Sequence, residues 1–514
     1  MFTFQQIHIL LEDGWHIAEV SENLWCLQDV TVCVQDNGAI TVTSDTTPVF
    51  AVKCTTKNSF FTNPLVLGDT WERGYADFEW TSMNPDKQLP WYFAANENNN
   101  TFCFGVQTGP NVLCFWQCNA EEISLTLDVR NGSLPLAFHG RVLEACTVVT
   151  ASYEGDAFDA VCNFCKLLCP NPRTVSRPVF GGNDWYCNYG ANTFDNILVH
   201  AKRIAECTTD CAYTPYMVID DGWQIRHNYN NRTWYNGGPW KQCNAKFGDM
   251  KKMAQAIEEA GCIPGIWFRP LITMDACPAS FVLQTSDFFF VLDPSVPEVL
   301  ELIQSDITTI KDWGYKLIKH DFSTFDIWNC WGFQANDLLH MEKNLIFHDK
   351  TRTTAEIIKG FYAAIREAAG DDVLVMGCNT MSHLSAGLFE LQRTGDDTSG
   401  VEWERTKNYG PNTLAFRSPQ HQSFYLADAD CVGITNKIEW SRNKQWLDVV
   451  AKSGTPLFVS IAEDAYTEEI KQELKKAFAI NASCTTISRP LDWMETKIPK
   501  RWESGYGVDV YNWE

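Results

Sequence analysis

Residues 216–224 read YMVIDDGWQ: a short apolar run, then two adjacent carboxylates, Asp220 and Asp221, then a glycine and a tryptophan. An apolar run of this length with no alternation suits a strand buried on both faces, as in a parallel sheet. Two neighbouring like charges cost free energy, so the chain must draw a benefit from them.

The same text recurs downstream of residue 172. PVFGGNDWY (178–186), PYMVIDD (215–221), CIPGIWF (262–268), KLIKHD (316–321), DVLVMGC (372–378), LFELQR (388–393), FYLADADCV (424–432) and GTPLFVSI (454–461) each carry an apolar run, most of them leading into polar residues. Between them lie windows such as Met250, Met253 and Ile257, or Leu300, Ile303, Ile307 and Ile310, whose spacing collects apolar atoms on one helix face. Strand and helix in alternation predict a parallel sheet with crossover helices, and eight strands is the number of a closed (β/α)8 barrel, which takes about 250 residues or more.

Residues 1–172 read differently. Runs such as AITVTSDTTPVFAVKC, NVLCFWQC and ISLTLDVR predict an N-terminal β-sandwich, followed by a helix over 154–169 and the proline-rich linker PNPRTVSRP. The expected organisation is a sandwich with connecting helix over 1–172, a catalytic barrel over 173–482 and a short C-terminal β segment over 483–514.

With 41 Lys+Arg against 64 Asp+Glu, the chain carries a formal charge of −23, which disfavours a nucleic-acid partner. The N-terminal MFTFQQIHILLEDGWHI has no cationic region ahead of an apolar one, and no segment approaches the ~20 apolar residues of a membrane span. The expected compartment is the cytoplasm, where the 20 cysteines stay reduced. Cys162, Cys165 and Cys169 share helical spacing with Phe158, Val161 and Leu168 and read as core rather than metal ligands; Cys114/Cys118 and Cys207/Cys211 read likewise. Sequons, those at Asn131, Asn231 and Asn481 among them, are of the number chance supplies.

In a (β/α)8 barrel the active site forms at the C-terminal strand ends. Those ends supply Asp184 and Trp185, Asp220 and Asp221, Trp267 and Arg269, Lys319 and Asp321, Cys378, Arg393 with Asp397 in the following turn, and Asp428 with Asp430. Acids, a few cations and indoles at one mouth suit a polyhydroxylated ligand, whose hydroxyls need charged acceptors and whose ring face stacks on tryptophan. Alternation along YKLIKHD points Lys319 and Asp321 inward and His320 toward the helices, so that the ammonium keeps Asp321 ionised. The competing reading is a structural ion pair across the barrel. For RTGDDTSG it is an acidic loop that caps the next helix, with Asp396 a rival to Asp397, and for the tryptophans it is packing.

These residues resemble the α-galactosidase clan of glycoside hydrolases, families 27 and 36, and family 36 more closely. The resemblance rests on IDDGW, on VLDPSVPEVLELIQSDITTIKDWGYKLIKHDF, on LQRTGDDTSG, on ADADCVGI and on SGTPLFVSIAEDAYTEE, in that order. It implies Asp321 as nucleophile and Asp397 as general acid/base of a retaining exo-glycosidase that releases terminal α-linked galactose. Asp220, Asp221, Lys319 and Arg393 would bind hydroxyls, with Trp185, Trp267 and Cys378 completing the sugar site, and no metal or cofactor taking part. Asp397 then needs a raised pKa and Asp321 a low one. The implied partner is an oligosaccharide or glycoconjugate, neither nucleic acid nor membrane; a homo-oligomer stays open.

The strand-five segment CNTMSHLSAG departs from the family's glycine-rich turn, and its Ser382 and Ser385 leave α-N-acetylgalactosaminidase open. β-L-Arabinopyranosidase and transglycosylase activities belong to the same chemistry. A non-catalytic sugar-binding protein and a metal-dependent hydrolase using Asp220 and Asp221 are alternatives of another class. His320, by strand alternation, and His383, in a loop, are poorly placed to complete a metal site.

Overall fold

The alternating N-terminal runs form two antiparallel sheets, one of six strands and one of nine. Ala39–Thr43 shows the cause: every second side chain is buried and the others are half-buried. The sheets meet through aromatic rings: Phe93, stacked on Phe104 of its own sheet at 5.0 Å, is edge-on to Trp116 of the other at 5.9 Å. In this computed structural model, residues 3–226, 236–285, 289–334 and 345–514 are described.

The helix Ala157–Leu168 begins at Asp156, whose carboxylate accepts from the amides of Phe158 and Asp159. Phe158, Val161, Cys165 and Leu168 are buried together with Cys169, whereas Cys162 of the expected stripe is only half-buried. All 20 cysteines are in the thiol form.

Beyond the linker, all eight apolar runs are strands: Phe180–Asn183, Tyr216–Ile219, Ile263–Phe268, Leu317–His320, Leu374–Gly377, Leu391–Arg393, a seventh in two halves, and Leu457–Ile461. They pair in parallel, one to the next, and the last returns to the first through Phe180 opposite Leu457. The seventh strand divides at Asp430, which takes a left-handed backbone with φ 75°. Its first half, Leu426–Asp428, pairs with strand six, and its second, Val432–Ile434, pairs with strand eight, so the ring closes. Strands one and two approach so closely at Gly181 that a Cβ there would stand 1.9 Å from the Tyr216 carbonyl oxygen.

The crossover helices bury one stripe each. Met250–Glu259 packs Met250, Met253 and Ile257 inward from an Asp249 cap. In Pro297–Asp312, Val299 joins Ile303, Ile307 and Ile310 in the core, and Leu300, expected there, is only half-buried. Arg489–Pro490, Arg501–Ser504 and Gly507–Val510 form the small C-terminal sheet, anchored by buried Trp502 and Trp513. Of the sequons, Asn131 and Asn481 are buried, their amides donating to Asp349, Arg352 and Thr455 carbonyls. Asn231 lies outside the described residues. Among the described residues no helix is long and apolar enough to cross a membrane.

Candidate active site

The paired aspartates at the end of strand two are satisfied largely by the protein itself. Asp220 Oδ2 accepts from Asn183 Nδ2 and from Lys319 Nζ, both at 2.7 Å, and its Oδ1 accepts the Asp221 amide at 2.9 Å. Asp221 accepts from Gln224 Nε2 at 2.6 Å and Asn236 Nδ2 at 3.0 Å. The like-charge cost is thus offset by one buried cation and an amide fork before any ligand arrives. Asp184, expected at the mouth, lies below it: its carboxylate takes the Asp220 amide at 2.6 Å, and burial, reinforced by Asp220, pushes it up to about 6.

Lys319 points inward as alternation predicts, but it bonds Asp220 across to strand two rather than Asp321. Burial works against its ammonium, yet Asp220 outweighs that and holds its pKa above the ordinary lysine value. Asp321 is held by Trp267 Nε1 at 3.1 Å and by the Phe322 amide at 2.7 Å. Phe322 itself adopts a left-handed φ of 65° at the start of the short helix that follows. Trp267 lines the cavity and packs edge-on to Trp240 and Phe322.

The strand-six turn is built jointly by barrel and sandwich. Gly74, in the sandwich loop between Gly68 and Thr81, bridges to Gly395: its amide donates to the Thr394 carbonyl at 2.9 Å, and its carbonyl accepts from Asp396 at 2.8 Å. Neither position has room for a side chain, since a Cβ on Gly395 would lie 2.4 Å from Thr413 Oγ1 and one on Gly74 2.3 Å from the Phe78 ring. This contact delivers Arg73 to the acids, 2.7 Å from Asp396 Oδ1 and 3.6 Å from Asp397 Oδ1. Arg405 takes the other Asp396 oxygen at 2.5 Å, and Arg393 Nη1 reaches Asp397 at 3.0 Å.

Two expectations change here. Burial alone would raise the Asp397 pKa, but Arg393, Arg73, Lys319 and Arg405 together overcome it and hold the group down at about 2, where a raised value was expected. Arg393 is not free for hydroxyls: it also pairs with Asp428 at 3.2 Å and Asp430 at 2.8 Å, and it does not line the cavity. The helix-capping alternative fails for both aspartates, because Ser399 Oγ accepts the Val401 and Glu402 amides ahead of that helix.

One cavity of about 880 Å³ joins these groups, walled by Asp220, Asp221, Trp267, Lys319, Asp321, Asp396, Asp397 and Trp185. Cys378 lies behind the wall, fully buried, with Sγ 3.6 Å from Arg73. Ser382 and Ser385 also turn inward, Ser385 onto Gln392, so they open no space for a 2-substituent. His383 sits on the short helix Ser382–Ser385 rather than in a loop, stacked on Trp91 at 5.0 Å, and His320 packs among Phe361, Tyr362 and Phe389. Burial lowers His383 to about 4 and His320 to about 3.

Sequence reasoning missed the sandwich's share, Arg73, Tyr75 and Asp77, because nothing local marks a loop for docking on a distant barrel. It also missed Asn236 and Tyr189. Asn236 had a detectable signal in one respect only, as an amide soon after two adjacent carboxylates.

No protein-family model matches the chain. Solved structures do. An α-galactosidase from Thermus thermophilus, in complex with p-nitrophenyl α-D-galactopyranoside, superposes with a TM-score of 0.63 at 15% identity over 99% of each chain. A family 36 α-galactosidase from Geobacillus stearothermophilus gives 0.61 at 13% over 98% of this chain and 79% of its own. The galactosidase domain of an α-galactosidase–sucrose kinase gives 0.61 at 16% over 97% and 77%. Sandwich followed by barrel is therefore, from end to end, the fold of the family 36 α-galactosidases that the sequence resembles.

Proposed function

We propose that the protein is a retaining exo-glycoside hydrolase that releases terminal α-linked galactose. The observation that carries this reading is the single cavity in which Asp321 from strand four and Asp397 from the strand-six turn are both exposed to a ligand, beside the hydroxyl acceptors Asp220 and Asp221. Asp321, positioned by the Trp267 indole, attacks the anomeric carbon, and the leaving oxygen takes a proton from Asp397. Water deprotonated by Asp397 then displaces Asp321, with net retention.

In the empty cavity Asp397 is a carboxylate, the form that the second step uses. For the first step it must take up a proton, so the bound sugar has to weaken the hold of the surrounding cations by dehydrating the site and engaging Lys319 and Arg73. Galactose is preferred to its N-acetyl derivative because Ser382 and Ser385 are turned into the core. Cysteines in the thiol form fit a reducing cytoplasm as the working compartment.

A panel of p-nitrophenyl α-galactoside, α-N-acetylgalactosaminide and β-L-arabinopyranoside, with the first-formed anomer followed by proton NMR, tests the proposal. Release of α-galactose is expected. A β-anomer as first product, or tight galactose binding without turnover, would reject it.

A further inference from the structure

Arg269 stands two residues beyond Trp267 at the end of strand three, fully buried behind the cavity wall rather than in it. Its guanidinium is engaged on three sides. Nε donates to Asp326 Oδ2 at 3.0 Å and Nη2 donates to Oδ1 of the same carboxylate, which ties strand three to the short helix Ser323–Trp328 after Asp321. Nη1 donates to Asn236 Oδ1. The guanidinium carbon lies 4.1 Å from the centre of the Phe322 ring, a cation–π contact out of water.

Two of these contacts have a second end in the site. Asn236 lines the cavity and donates Nδ2 to Asp221 Oδ2 at 3.0 Å. An arginine carries donors only, so it obliges Asn236 to turn its oxygen inward and its amino group toward the carboxylate. Without the guanidinium that amide is free to flip and set its oxygen against Asp221. Phe322 donates its backbone amide to Asp321 Oδ1 at 2.7 Å. Its ring also meets, edge-on at 6.5 Å, the Trp267 indole that holds the other Asp321 oxygen. One buried plane thus bears on a hydroxyl acceptor, Asp221, and on the nucleophile, Asp321. Neutralising Asp326 requires only a cation, whereas reaching Asp326 and Asn236 while covering a ring requires a planar fork.

Resting on the glycosidase reading above, we infer that Arg269 is a positioning residue that sets Asp221 through Asn236 and Asp321 through Phe322, so that one side chain keeps sugar recognition and nucleophilic attack in register.

Arg269→Lys, made in the full chain, keeps a cation opposite Asp326 and loses the fork and the flat face. With folding checked by circular dichroism, kcat/KM for p-nitrophenyl α-galactoside should fall about tenfold to a hundredfold, with KM raised and kcat lowered. A double-mutant cycle with Asn236→Ala separates the two routes: in that background Arg269→Lys should change KM by less than about twofold and still lower kcat. If the lysine variant does not fold, Arg269→Met with Asp326→Leu removes both charges together and takes its place, with the same losses expected. Activity within about twofold of the parent chain in the folded variant, or effects on KM that multiply independently in the cycle, would overturn the assignment. A parent chain with no turnover of this substrate would instead overturn the function on which the assignment rests.

Discussion

Replacing Asp397 with glycine leaves a hole beside two guanidinium groups, and the hole should accept a small anion. Arg393 and Arg73 stand 3.0 Å and 3.6 Å from the carboxylate oxygen that would be lost. The Asp397 side chain is 36% exposed, so water-like screening applies. At that screening the two cations attract a unit charge by about 1.4 and about 1.2 kcal/mol. Their sum of about 2.5 kcal/mol corresponds to roughly a 70-fold gain in anion affinity.

Asp397→Gly should lose a factor of about 10²–10⁴ on p-nitrophenyl α-galactoside for want of a general base, and added azide should restore part of it. Adding Arg73→Gln should raise the half-saturating azide concentration about sevenfold, the equivalent of the ~1.2 kcal/mol removed. Stereochemistry fixes the roles. Azide attacking a glycosyl-Asp321 intermediate gives the α-azide, whereas azide replacing the nucleophile in Asp321→Gly gives the β-azide. Product NMR reads this directly. A β-azide from Asp397→Gly, or rescue confined to Asp396→Gly, would refute the assignment of acid and nucleophile.

Lys319→Met strands Asp220 in the interior without its cation and should destabilise the fold by about 3 kcal/mol, read from the denaturation midpoint; adding Asp220→Asn should recover more than half, and a pair that behaves additively would dismiss the coupling. Asp397 is held at about 2 against 3.8 for the free group, so it contributes stability at neutral pH that is lost as pH falls through the folded value. After discounting for exposure, Asp397→Asn should cost about 1 kcal/mol at pH 6, the gap closing near the folded pKa, and a gap constant with pH would contradict the ion-pair account. Gly395→Ala forces a methyl against Thr413, 2.4 Å from its Oγ1. A cost of about 1–3 kcal/mol and a fall in kcat are expected, with relief by Thr413→Ala; an unaffected enzyme would show that the strand-six turn has room to spare.

Much of the barrel was legible because its signals are local. An apolar run that ends on a charge reports burial followed by a mouth, and all eight runs became strands in the expected order. Alternation along YKLIKHD aimed Lys319 and Asp321 inward and His320 outward, since side-chain direction in a strand has a period of two. Helix stripes failed only in detail, as at Leu300, where facing neighbours decide which of two adjacent positions is covered.

What pattern could not supply was pairing. Lys319 is closest in sequence to Asp321 yet bonds Asp220, because partners in a barrel are set by register between strands. Arg393 looked free for a sugar until strand seven brought Asp428 and Asp430 against it. The Asp397 pKa came out opposite to expectation because Arg73 and Arg405 converge on the turn from the sandwich and the next helix. By itself, then, the sequence determined which residues lie at strand ends and which way they face, since both follow from periodicity along one chain. Only the tertiary structure decided which charges meet, because Coulomb energies depend on distances between segments that periodicity leaves unspecified.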